Sequence, residues 1–580
     1  SGVETLSVTA EDSGATSPEG RGRKTGELDF SQPTLGLSRA TSTALAPRPF
    51  RYRSPAMPIS SYTGTRAVAV TPHHLATQAA VDVMRGGGNA ADAVIAANAV
   101  LGMVLPSTCG IGGDLFAIVH RPGWDRPDVL NASGRGGSGL DADRLRSAGH
   151  SELPYRAPET ITVPGCVDGW EALAARHGSL PLTELLAPAI ALGTDGFPVS
   201  KEFASDLGVI APMIQGQKSA VALYPSGEVP RPDDLLRRAD LAATLSAIAT
   251  EGRSAFYEGR VAEQISAATG GVLKPDDLTA NTSDWVEAIG ATVFGLEAWT
   301  VPPNSQGYLT VAAAMLLEYL DPPADPMDPR FHHAVIEAYR AVAWERDDLV
   351  ADSRFAPLAP ESLLDPERIL SRVKSISAAR VARWKSPGPA PGGTAYFCAM
   401  DASGMAVSCI QSNFAGIGSG ISAGDTGVFL HNRGAGFNLI PGHPNEAAPG
   451  KRPMHTLSPT LWTRGGSPAL ILGTRGGHQQ PQYLVQIAAL LLIAGLDPAA
   501  AQESPRWSAG QIDGEGSALA AEIRMPEAVV IGLRTRGHFV DRGPDLAAGW
   551  GPVSVIAIEP DGTRRAAADP RVGTATAIGD

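Results

Sequence analysis

The stretch that most limits the fold lies about two-thirds of the way along the chain. Residues 385–393 read Lys-Ser-Pro-Gly-Pro-Ala-Pro-Gly-Gly. Three prolines fix φ and remove backbone donors, while three glycines widen the accessible conformations, so neither a helix nor a paired strand runs through this segment. The pattern changes directly afterwards. Thr394 to Asp401 is apolar and strand-like, Ala402-Ser403-Gly404 signals a turn, and Met405 to Ser412 returns as a second strand. A hairpin therefore starts at Thr394, immediately after an irregular linker.

The rest of the chain supplies layers for that hairpin to join. Residues 1–60 are rich in Ser, Thr, Gly and Pro, lack hydrophobic periodicity and read as a tail. The ordered body is expected to begin near Arg66, with a short strand over Arg66–Val70. A helix follows through Leu75, Ala79, Val83 and Met84 and stops at Gly86-Gly87-Gly88. Asn89 can cap the next helix, which Pro106 ends. Leu115 to Val119 reads as a strand, and residues 165–385 read as mainly helical. These elements fit a layered α/β (α+β) architecture.

Composition excludes several classes. The 580 residues are 43% hydrophobic, enough for a large buried core. Sixty acidic against 47 basic residues give a net charge of −13, without a Lys/Arg block to follow phosphates or a membrane surface. Neither a nucleic-acid nor a membrane partner is expected. The longest apolar run, Leu484 to Leu496, is too short to span a bilayer. No charged segment followed by an apolar run opens the chain, so a cytoplasmic location is expected. Cys109, Cys166, Cys398 and Cys409 form no CxxC pair and read as buried small residues.

Most candidate motifs have a structural explanation. GIGGD at 110–114, GRGGSG at 134–139 and GTRGGH at 473–478 lack the Gly-Lys-Ser/Thr of a phosphate loop and the spacing of a dinucleotide fingerprint. The first two read as tight, closely packed turns. His73-His74 has no further ligand at metal-site spacing, so no metal and no cofactor is expected. Cys166 in GCVDG lacks a neighbouring base. Thr394 differs: a Thr hydroxyl becomes a nucleophile when a base takes its proton, and the α-amine of an N-terminal Thr can be that base. This requires cleavage of the Gly393–Thr394 bond, and small Gly393 at the end of a Gly/Pro-rich approach suits an N→O acyl shift.

Several separated blocks carry a family resemblance. They are HLATQA at 74–79, GGNAADAV at 87–94, GIGGDLFAIVH at 110–120 and TVPGCVDGW at 162–170. HGSLPLTELLAPAIALGTDGFPVS at 177–200, GTAYFCAMDASGMAVSCIQS at 393–412, GSG at 418–420, KRPMHTLSPTLW at 451–462 and GTRGG at 473–477 complete them. From about Arg66 onward the chain resembles the γ-glutamyltransferase family of N-terminal-nucleophile (Ntn) hydrolases. The resemblance implies a four-layer αββα sandwich and a precursor that cuts itself. The fragments would be a large one, 61–393 after the tail, and a small one, 394–580, that stay associated and can pair as a homodimer of heterodimers. It assigns Thr394 as nucleophile, Ser412 as the hydroxyl partner, and Gly476 and Gly477 as oxyanion donors, a role suited to backbone N–H groups without side chains.

The same comparison shows replacements. The family's acidic residue for the glutamyl amine falls on Gly436, its paired serines on His455 and Thr456, its Asn on Phe414 and its carboxylate-binding Arg near Ser133, with Arg135 two positions away. Arg135, Arg433, His455 and Thr456 are the candidate substrate contacts, since an Arg fork suits a carboxylate. The implied substrate is a small molecule bearing a carboxylate without a free α-amine beside the scissile bond. The pattern also resembles the branch with oxamate amidohydrolase and the homologues of 4-alkyl-L-(dehydro)proline antibiotic pathways. The expectation is an amide or α-keto acid acyl hydrolase. Carbon–carbon bond hydrolysis, true γ-glutamyl transfer and a non-catalytic homologue are the alternatives.

Overall fold

The structure is a computed structural model that describes residues 60–280, 282–382, 384, 393–510 and 517–580. The expected tail, up to residue 59, and linker residues 385–392 lie outside the described residues. Two seven-stranded antiparallel sheets form the centre. The first runs, edge to edge, through Thr576–Gly579, Val68–Thr71, Gly393–Met400, Ala406–Phe414, Asp114–His120, Asp128–Ala132 and Asp284–Glu287. The second runs through Ser61–Gly64, Arg564–Ala567, Val553–Ile558, Ser467–Thr474, Thr460–Arg464, Leu296–Thr300 and Ile289–Val293.

Strand alternation explains the layering. In Gly393–Met400, Ala395, Phe397 and Ala399 pack outward against helices, whereas Tyr396, Cys398 and Met400 face the other sheet. Ile471 faces inward from Ser467–Thr474, and its neighbours Leu470 and Leu472 join the helical core on the far side. This period of two, repeated on both sheets, produces helix, sheet, sheet, helix. The expected αββα sandwich is therefore found. Its outer layers include the helix Ala90–Val104, buried along its whole length, and Tyr308–Leu320 with Gln480–Leu492. Asn89 caps Ala90–Val104 as expected and shares a capping box with Asp92. All four cysteines are free and buried. Among the described residues no helix is long and apolar enough to cross a membrane.

Two expectations need correction. The ordered body begins before Arg66: Ser61–Gly64 pairs with Arg564–Ala567. That strand is short and half exposed, so it carries no apolar alternation, and its partner lies at the far end of the sequence. The helical middle third also contains strands Asp284–Glu287, Ile289–Val293 and Leu296–Thr300. Their turn places Phe294 and Gly295 at positive φ (53° and 73°), the geometry of a tight hairpin.

Both sheets interleave strands from either side of Gly393–Thr394. Gly393–Met400 pairs with Val68–Thr71, and Thr460–Arg464 with Leu296–Thr300. A chain cut at that bond would remain joined by strand ladders and a shared core.

Candidate active site

Three adjacent strands bring the site together. Thr394 pairs with Ser412, and Ser412 pairs with Asp114. Each is in phase with inward-facing residues of its own strand: Thr394 with Tyr396, Ser412 with Ile410, Asp114 with Phe116. Side chains in cross-strand register on one face are neighbours, so a threonine, a serine and an aspartate meet at one end of the first sheet.

Ser412 is the hub. Its hydroxyl donates to the Gly393 carbonyl at 2.6 Å. It accepts from the Phe414 N–H at 2.8 Å, from Thr394 Oγ1 at 3.2 Å and from Arg433 Nη2 at 3.2 Å. A hydroxyl oxygen has two lone pairs, so three donors compete for two places and the Thr394 proton is not locked. Phe414 reaches Ser412 through a backbone at φ 73°, a conformation that costs a bulky residue on the order of 1–3 kcal/mol. Its ring lies 4.3 Å below the Arg433 guanidinium carbon, and Tyr155 lies 6.0 Å further on.

Arg433 is fully buried and joins the other candidates. Nη1 donates to Thr456 Oγ1 at 3.2 Å, and Nε lies 4.0 Å from Asp114 Oδ2. Asp114 also accepts from the Gly134 N–H at 3.0 Å and from His455 Nε2 at 3.1 Å. Because the Leu457 N–H donates to His455 Nδ1, the His455 proton sits on Nε2. His431 Nδ1 faces the same carboxylate at 3.6 Å, and its Nε2 donates to the Thr162 carbonyl at 2.8 Å. Burial disfavours charge on Asp114, but His431, His455 and Arg433 together hold its pKa down to about 2. Burial and Arg433 push His455 down to about 3, and burial lowers His431 as well. His455 is therefore neutral near pH 7, and Arg433 supplies positive charge to the site. Burial lowers Arg433 only to about 10, so it stays protonated.

Gly476 and Gly477 follow the strand Ser467–Thr474 and precede the helix Gln480–Leu492. Gly473 packs so closely on Tyr396 that an added Cβ would lie 1.9 Å from its ring, two residues along the strand from Thr394. Gly476 and Gly477 have φ of 135° and 55°, accessible to glycine. Gln306 Nε2 ties this turn to the pocket by donating to the Thr456 carbonyl at 3.1 Å and the Gly477 carbonyl at 3.2 Å. The turn feeds a helix N-terminus, where backbone N–H groups suit an anion.

The structure thus links Thr394, Ser412, Arg433 and Thr456 by hydrogen bonds and sets His455 beside them on Asp114, whose carboxylate forms a 4.0 Å ion pair with Arg433. Arg135 stands elsewhere, paired with Asp284 at 2.9 Å and Asp352 at 3.7 Å beside Arg452; no hydrogen bond joins it to that group. Sequence reasoning missed Asp114, His431 and Gln306. GIGGD does form the tight turn expected of it: Cβ atoms on Gly112 and Gly113 would meet backbone oxygens at 2.1 and 2.3 Å. The phase of Asp114 with Phe116 and Ile118 was the available signal, because a carboxylate on the buried face of a strand needs a partner. At Gly436 an added Cβ would lie 2.5 Å from the Met454 carbonyl oxygen, so no acidic side chain fits there without backbone movement.

The chain is also similar to known proteins in sequence and fold. The chain is 34% identical over 526 residues to the glutathione hydrolase-like YwrD proenzyme of Bacillus subtilis (strain 168), covering 90% of this chain and 99% of that one. It is 34% identical over 529 residues to the oxamate amidohydrolase proenzyme of Klebsiella pneumoniae subsp. pneumoniae, covering 89% and 99%. The fold resembles that of the cephalosporin acylase from Bacillus halodurans with a TM-score of 0.83 and 30% identity, covering 93% and 99%. The family profile described as gamma-glutamyltranspeptidase matches residues 76–578. With the two-sheet sandwich and that match over nearly all of the described residues, the chain belongs to the gamma-glutamyltranspeptidase family and is an enzyme of the Ntn-hydrolase type.

Proposed function

We propose that this enzyme cuts its own chain before Thr394 and then hydrolyses a small acyl donor that carries a carboxylate, through an ester on Thr394. The carrying observation is the chain of contacts from Thr394 Oγ1 to Ser412 Oγ to the Gly393 carbonyl oxygen. As Thr394 Oγ1 bonds to the Gly393 carbonyl carbon, its proton passes to Ser412, and the Ser412 proton passes to the carbonyl oxygen. The Gly393–Thr394 C–N bond then breaks with protonation of the Thr394 nitrogen, leaving an ester. The C–N cleavage frees the Thr394 α-amine, and water then hydrolyses the ester to a Gly393 carboxylate and the Thr394 hydroxyl. That amine is the base for later turnovers.

Self-cleavage must come first. In the continuous chain Thr394 is 1% exposed and Ser412, Arg433 and His455 are 0% exposed. Gly393 occupies the place a donor carbonyl needs, and its departure opens it. Gly476 and Gly477 would then donate to the developing oxyanion. Arg433, steadied by Thr456 and Phe414, would hold the donor carboxylate, and His455 fixes Asp114 beneath it. The absence of space at Gly436 favours an oxamate-like or α-keto acid donor over a γ-glutamyl one, because a buried ammonium group would find no carboxylate there.

The test combines a gel with mass spectrometry. Wild-type protein should run as two fragments, the smaller beginning at Thr394, and Thr394→Ala as one chain. Brief exposure to oxamate should leave an oxalyl mass on the small fragment, whereas a γ-glutamyl anilide should leave none and turn over slowly. Efficient turnover of the anilide would overturn the substrate assignment. A single uncut chain in the wild type would overturn the mechanism.

A further inference from the structure

Away from Thr394, two histidines and a glutamate converge between the helix Pro329–Ala343 and the strand His538–Gly543. His333 and Glu337 are four residues apart and share one face of the helix. His538 approaches from the strand. One ligand-capable atom from each lies within 4.8 Å of the others, and all three residues are buried. His333 Nε2 donates to the Ser377 carbonyl at 2.7 Å, which leaves its Nδ1 as a lone pair turned toward His538 Nε2, 2.8 Å away. This outer hydrogen bond orients an imidazole as carbonyls do behind metal-bound histidines. His538 Nδ1 is buried without a partner.

From this geometry we infer that His333, Glu337 and His538 form a binding site for a zinc-like divalent transition metal. Two imidazoles and one carboxylate favour zinc, cobalt or nickel over magnesium or calcium. The competing contacts leave room for it. Arg340 Nη1 and the Ala382 N–H each occupy one lone pair of a different Glu337 oxygen, at 3.1 and 2.8 Å, so each oxygen keeps another. Binding requires the His538 proton to move from Nε2 to Nδ1, and the hydrogen bond between the two imidazoles gives way to two bonds to the metal. The two ring nitrogens must then separate by roughly half an ångström to admit a metal about 2.0–2.1 Å from each. A cavity of about 920 Å³ is lined by Ser377 and Ala382, whose backbone groups hydrogen-bond His333 and Glu337, and by Gly537 and Phe539, which flank His538.

The ligands divide across the proposed cut. His333 and Glu337 precede Thr394 and His538 follows it, so in the processed protein the metal would clasp one fragment to the other. This last consequence rests on self-cleavage; the site itself does not. The test uses full-length protein, processed wild type and uncut Thr394→Ala alike, stripped with a chelator and titrated with Co²⁺ and Zn²⁺. Expected are one equivalent bound, visible Co²⁺ d–d absorption bleached by Zn²⁺, and a higher Tm with metal. His538→Gln should lose the absorption and the Tm shift, and His73→Gln should keep both. Absence of d–d absorption in wild type overturns the proposal, whether or not the variants fold. Unchanged binding in His538→Gln overturns it too. Metal binding in a wild type that stays uncut would leave the site standing and defeat only the clasp and the self-cleavage reading.

Discussion

Ser412 Oγ donates to the Gly393 carbonyl oxygen at 2.6 Å while accepting from the hydroxyl of Thr394, the residue that follows. In the proposed self-cleavage the serine would polarise the carbonyl that the threonine attacks. Ser412→Ala should slow self-cleavage by roughly 10²-fold, the usual cost of removing one donor from a developing oxyanion. Ser412→Thr should recover most of the rate. The fraction of uncut chain against time on a denaturing gel gives the measurement; equal rates for wild type and Ser412→Ala would remove Ser412 from the reaction.

Arg433 and Asp114 balance one another in a sealed interior. Arg433→Met should leave the Asp114 carboxylate unpaired and destabilise the protein by about 3–5 kcal/mol, and Asp114→Asn should leave Arg433 in the same position. The double variant should cost less than the sum of the two. A double-mutant cycle from urea unfolding would show this coupling, and strict additivity would contradict it.

Gly473 has no room for a side chain. Gly473→Ala drives a methyl into the Tyr396 ring, which is pinned by a 2.9 Å hydrogen bond between its hydroxyl and that of Ser408. Overpacking of this kind costs roughly 1–3 kcal/mol, and here it should also displace the Gly476–Gly477 turn and slow catalysis. Tyr396→Leu in the same chain should restore part of both stability and rate.

Acid should destabilise the fold well above the carboxylate range. His73 and His455 are held near pKa 3, His73 by burial and then His74, His455 by burial and then Arg433. Each is neutral when folded and takes a proton when unfolded below about pH 6.5. The unfolded state thus binds more protons, and stability falls as pH drops from about 6.5 toward 3, by about 1.4 kcal/mol per pH unit for each. Calorimetry at pH 5.5 in buffers of different ionisation enthalpy should show proton uptake on unfolding, and His455→Gln should reduce it.

The hairpin from Thr394, the capped helix after Asn89 and the buried cysteines were legible because each is a local pattern of period, cap or burial. Ser61–Gly64 was not, since its pairing with Arg564–Ala567 spans almost the whole chain. Arg135 looked like a substrate ligand from its place in the sequence, yet its charge is directed to Asp284 and Asp352 by chain segments distant in sequence.

The sequence by itself determined the site of the Thr394 hydroxyl: a side chain at the start of a strand, after a segment whose prolines and glycines suit neither helix nor sheet. It also determined which glycines stand free of side chains at 476 and 477. Only the tertiary structure decided what surrounds that hydroxyl. Cross-strand register set Asp114 beside Ser412, and burial then demanded that its charge be matched by Arg433 from a separate loop. Local propensities cannot specify such a match, because the energy of a buried charge depends on residues that only folding brings together.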